Sequence, residues 1–240
     1  VNRDAVVEGV PLTFPALALP GLLAALAVFG GVVGTAFALV IEKEDGTLLR
    51  AKAAPHGIVG YVTGQVVLQS LGALPMVVLV VVPSALLFDG VGFRGVGGWL
   101  AALAFLALGL LVALPIGMVI GALARRPNQV MTWGLLPVLL LGGISGVVVP
   151  IQALWGWVQG VAQVFPMYWL GAGLRWSLLP DEAAAFEIGG RWRVVEAVAV
   201  LGAWAVVGLV VAPFVLRRMV RRESGSAVRD RMEERMKRVA

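Results

Sequence analysis

Long apolar runs separated by short charged clusters dominate this chain. No Asp, Glu, Lys or Arg lies between Glu8 and Glu42, between Lys52 and Asp89, between Arg94 and Arg125, or between Arg126 and Arg175. Each run exceeds the roughly 20 residues that a helix needs to cross a hydrocarbon core of about 30 Å. A segment in lipid must satisfy its own backbone, so these runs predict helices, and the period-two alternation of a membrane barrel is missing. Five spans are expected, at about Leu17 to Ile41, Val62 to Phe88, Trp99 to Leu123, Val130 to Val149 and Val194 to Leu216. The fold class is all-α, a polytopic transmembrane helical bundle.

One apolar stretch does not suit a single span. From Ser145 and Gly146 it runs through Pro150, Leu154 to Gln159, Phe165 to Leu170 and Leu174-Arg175, with Pro150, Gly156, Gly160 and Pro166 breaking it into two short pieces. Pieces of that length suit a re-entrant helical hairpin. Trp155, Trp157, Tyr168, Trp169 and Trp176 put aromatic rings near an interface, where apolar ring bodies and polar tips are both satisfied. A plain aromatic belt beside a loop accounts for the same residues.

Composition agrees with a lipid environment: of 240 residues 60% are hydrophobic and 14% charged, with a mean hydropathy of +0.93. The net charge of +5 sits entirely in the last residues, where Arg217 to Ala240 hold nine Lys/Arg against four Asp/Glu. Such a tail beside a span reads as a cytoplasmic anchor on anionic lipid and not as a nucleic-acid arm. The expected division is a membrane domain over 1–217 and a basic tail over 218–240. With no cysteine in the chain, a disulfide framework and thiolate metal sites are excluded.

Cytoplasmic loops retain Lys and Arg. Placing the loop after Glu42 inside puts fourteen of these residues inside and five outside, with the tail dominating the difference. The C-terminus is then cytoplasmic and Val1 lies outside. Val1 to Val10 lack the basic and apolar regions of a signal peptide, so a further span upstream of residue 1 is expected.

The segment Ile41 to Pro55 reads as a short helix with acidic residues at its start, basic residues at its end and Pro55 as a stop. Leu48, Leu49 and Ala51 to Ala54 give it an apolar side for the membrane surface or a partner's groove, and an ordinary interfacial loop is the plainer reading. Its pattern Glu42-x-Glu44-x-Gly46-Thr47-Leu48-x-Arg50, followed by Pro55, Gly60 and Gly64, resembles the signature of the ABC-2 family of transporter permeases. The broken outer segment, with Ser145, Gly146, Pro150, Trp157, Pro166 and Arg175, is similar to the re-entrant pair that this family carries before its last span.

The resemblance covers about Pro20 to Arg217 and implies a six-span pattern in which five spans are visible here. It further implies that Glu42, Glu44, Gly46, Thr47, Leu48, Arg50 and Pro55 form a cytoplasmic coupling elbow. The implied partners are a separate ATP-hydrolysing subunit and a second permease copy, in a bacterial cell membrane. Many members of the family resemble antibiotic exporters, and the apolar spans permit a lipophilic substrate.

The chain itself has no phosphate loop, and its only lysines are Lys43, Lys52 and Lys237, so it is expected to bind no cofactor and to hydrolyse no ATP. His56 is the only histidine and cannot form half of a helix-borne metal pair. A membrane-embedded enzyme would need a convergent His, Asp or Glu set, which the sequence does not offer. A secondary transporter or channel without an ATPase would want intramembrane charge or an internal repeat, and neither is visible.

Weaker features remain open. Gln65 and Gln69 share one face of the second expected span and suit either a pathway or helix packing. Glu196, near Arg191 and Arg193, is expected at an interface. Gly30 and Gly34, Gly117 and Gly121, and Gly142 and Gly146 have the spacing of close helix approach without fixing a dimer face. Val228, Met232 and Met236 recur every four residues in the tail, as in a surface helix or a solvated end.

Overall fold

The computed structural model describes residues 14–45, 57–87, 94–146 and 151–222. Every regular element among them is helical. α1 (Phe14–Phe29) passes through a π-helical turn (Gly30–Gly34) directly into α2 (Thr35–Glu44), making one continuous rod. α3 is Gly57–Leu87 and α4 is Gly95–Leu123. α5 (Pro127–Val130), a second π turn (Met131–Leu135) and α6 (Leu136–Ile144) form another rod. α7 (Gly156–Ala162) and α8 (Pro166–Leu178) are short, and α9 spans Val194–Arg222.

Helices are present in each of the five segments expected to span, over the residues described. Among the described residues, three helices are long and apolar enough to cross a bilayer by length and composition: Ala18–Glu44, Gly95–Leu123 and Val194–Val220. Pro20, Pro115 and Pro213 lie inside helices, a pattern that lipid-embedded helices tolerate because neighbours re-satisfy the freed carbonyls.

α4 is the central helix, packed by α9, α8, α2, α1 and α3. Its glycines permit this crowding. A Cβ on Gly117 would sit 2.4 Å from the carbonyl oxygen of Val32, and one on Gly121 2.7 Å from that of Ala36. The Gly117/Gly121 pair therefore seats α4 against the first rod within the same chain. Gly30 and Gly34 have no atom within 4 Å of a Cβ and stay open.

The core has two layers along α4. One joins α1, α4, α8 and α9 through Leu23, Phe105, Tyr168, Leu170 and Leu201. The other joins α2, α3, α4 and α9 through Leu39, Val62, Leu114, Met118 and Leu216. On the outward face of α9, Val206, Val210 and Phe214 are exposed, which suits contact with lipid.

The expected short elbow helix begins differently. Ile41 to Glu44 are the last turn of α2, because no breaker separates them from the span. Gly46, Thr47, Leu48, Arg50 and Pro55 lie outside the described residues, as do His56, Pro150 and the tail beyond Arg222, while 218–222 continue α9.

Candidate functional site

At the end of α2, successive residues face different ways. Glu42 is half-buried; Tyr61 Oη donates to one carboxylate oxygen, and Gln65 Nε2 donates to the other at 2.7 Å. Lys43, about 100° further round the helix, is buried and donates from Nζ to the carbonyl oxygens of Gly121, Ala122 and Ala124 at 3.0, 3.1 and 2.6 Å. These are the carbonyls that a helix end leaves without intrahelical partners, so a lysine from α2 caps α4. Glu44 is half-buried.

Glu42 belongs to the wall of a cavity of about 570 Å³ between the first rod, α3 and α4. Its apolar lining includes Leu23, Leu26, Leu68, Leu106, Leu110 and Leu114, and its polar groups are Glu42, Gln65 and Gln69. The two glutamines both line the space and bridge helices. Gln65 reaches Glu42, and Gln69 Nε2 donates to Thr35 Oγ1 at 3.2 Å.

The segment between α6 and α9 is organised around a buried ion pair. Arg175, on α8, contacts Glu187 through Nε and donates from Nη1 to the carbonyl oxygen of Gly146 at 3.2 Å. Tyr168 Oη donates to the other carboxylate oxygen of Glu187 at 3.2 Å, and Gln152 Nε2 donates to its backbone carbonyl at 2.9 Å. Gly146 has φ +71°, which a side chain resists, so glycine is the natural residue where the chain turns out of α6. Ser145 is buried and donates back to the Leu141 carbonyl, while Pro166 occupies the first turn of α8, where its missing N–H costs nothing.

The aromatic residues divide. Trp155 and Trp157 are exposed and stacked, with ring centroids 6.3 Å apart. Tyr168 and Trp169 are instead buried in the bundle. Arg193 lies 4.7 Å above the Trp169 ring and pairs with Glu196, so Glu196 sits at the helix start beside an arginine, as expected.

Glu187 is the functional candidate that sequence reasoning missed. Its neighbours, from Ala183 to Gly190, are small or apolar and carry no motif. The available signal was Arg175, a lone cation at the end of a charge-free run that calls for a buried partner.

No curated protein matches the chain significantly. The family model of the ABC-2 type transporter matches residues 4–179, from before the first rod to the end of α8. That match takes in the cavity, the Lys43 cap and the Arg175 end of the buried ion pair, and on its extent this chain belongs to the ABC-2 type transporter family of membrane permeases.

Proposed function

We propose that the chain is the membrane-spanning subunit of an ATP-driven exporter, moving a lipophilic substrate outward with ATP hydrolysed by a separate subunit. The observation that carries the reading is a drug-sized, mainly apolar cavity inside a chain of the ABC-2 family. Two permease copies, each with five spans in this sequence and a re-entrant hairpin made by α7 and α8, enclose the pathway. The membrane domain is residues 1–217, and residues 218–240 form a basic tail on the cytoplasmic side of a bacterial cell membrane.

Coupling in this proposal runs through the segment after Glu44 to the ATPase subunit. Lys43 gives that segment a mechanical connection, since it joins the end of α2 to the end of the central helix α4. A push on the elbow then moves two of the three elements that wall the cavity, the first rod and α4.

The test is affinity purification of the full chain from its native membrane. A phosphate-loop ATPase recovered in stoichiometric amount, with transport in vesicles that requires ATP, supports the proposal. Transport driven by an ion gradient without nucleotide would establish the secondary-transporter alternative instead.

A further inference from the structure

We infer that the cavity between the first rod and α3 is a binding site for lipophilic cations, with the Glu42 carboxylate as the counter-charge. This deepens the permease reading and rests on it.

Among the described residues, Glu42 is the only charged one that lines the cavity. Elsewhere, Asp181, Glu187 and Glu196 each pair with an arginine. Glu42 is held by two neutral donors, Tyr61 and Gln65, and forms no salt bridge with a described residue. The hydrogen bonds fix the orientation of the carboxylate without cancelling its charge. A carboxylate beside apolar walls is costly to leave uncompensated, and it attracts a cation more strongly there than in water.

The shape suits the same ligand. From Leu23 to Glu42 the lining covers about 28 Å of helix at 1.5 Å per residue, with the charge at one end. The leucines of α1, α3 and α4 supply apolar wall, and a Cβ at Gly30 or Gly72 would meet nothing within 4 Å, so the space beside them is open. An apolar body packs along the leucines while a cationic centre lies near Glu42. An anion of the same size meets the same walls and is repelled by the carboxylate.

The test uses the full chain in phosphatidylcholine nanodiscs, without any ATPase, and two probes of matched size and opposite charge, tetraphenylphosphonium and tetraphenylborate. Saturable phosphonium binding above empty nanodiscs is expected, without competition from the borate. Glu42→Gln should weaken the phosphonium by about tenfold or more, the loss of one ion–ion attraction beside apolar walls. Leu110→Trp should abolish binding by filling the cavity. Equal binding of both probes, or unchanged affinity in Glu42→Gln, overturns the inference. If Glu42→Gln does not remain monodisperse, the two probes on the unaltered chain decide alone. A chain that recruits an ATPase yet shows no preference for the cation overturns this inference and leaves the permease reading standing.

Discussion

Lys43 Nζ donates to the carbonyl oxygen of Ala124 at 2.6 Å, a bond across 81 positions of sequence that closes the end of α4 from the end of α2. The lysine is 7% exposed and Ala124 fully buried, so water is a poor substitute for the ammonium. A cation at a helix C-terminus is also favoured by the helix dipole. Lys43→Met should therefore cost about 2 kcal/mol, the scale of hydrogen bonds to a charged group. Lys43→Arg keeps the charge, but its planar fork does not reproduce three convergent bonds, so it should restore part of the loss. Thermal midpoints of the nanodisc-embedded protein check both, and an unchanged midpoint for Lys43→Met would dismiss the cap.

The glycines of α4 give a sharper contrast. A Cβ at Gly117 would approach two carbonyl oxygens of the π turn, those of Val32 at 2.4 Å and Gly31 at 2.9 Å. Both are backbone atoms and cannot swing aside. Gly117→Ala should thus destabilise by about 1–3 kcal/mol, the usual range for overpacking. At Gly34, with nothing within 4 Å of a Cβ, the same change should be tolerated. Comparable losses at the two positions would contradict the packing of α4 on the first rod.

How much of this was legible depended on range. The helices follow charge-free runs because burial of backbone in lipid leaves few alternatives. Their ends were less visible: α3 begins at Gly57 and α9 continues to Arg222, since neither Tyr61 nor Arg217 interrupts helical geometry. The acidic start and Pro55 stop make Ile41 to Pro55 read as a separate short helix, yet Ile41 to Glu44 belong to α2. The different facings of Glu42 and Lys43, about 100° apart, follow from helix periodicity once that is known. What each meets does not, because Gln65 and Ala124 come from helices distant in sequence. Arg175 was legible as a site residue, but its partner Glu187 lies in a loop whose pattern carries no period.

The Arg175–Glu187 pair should behave as a buried ion pair. Both side chains are nearly inaccessible, at 11% and 4% exposure, and removing one leaves the other charge without compensation. Arg175→Met or Glu187→Gln alone should cost about 3–5 kcal/mol. The double change should cost clearly less than the two singles added together, since neither charge is then stranded. Tyr168→Phe, which removes one hydrogen bond to the carboxylate, should cost about 1 kcal/mol. Denaturation of the four variants in one detergent measures the cycle, and strict additivity would mean that the pair is not coupled.

The lack of native cysteine makes the proposed orientation directly testable, because a single introduced thiol is the only one in the chain. Trp157 is 68% exposed on the short helix α7, so Trp157→Cys offers a reactive position with little disturbance of the core. In the proposed topology it lies outside the cell and should react with a membrane-impermeant maleimide in intact cells. Met232→Cys, in the basic tail, should react only after permeabilisation. The consequence reaches the cavity: the α2 end that carries Glu42 meets the C-terminal end of α4 through Lys43, whereas α8, which follows α7, ends against Gly98 near the start of α4, so the same labelling sets the face from which a cation approaches the carboxylate. Labelling of Met232→Cys in intact cells, with Trp157→Cys protected, would reverse the topology and place Glu42 at the outer mouth, where a role in uptake from the cytoplasmic side no longer holds.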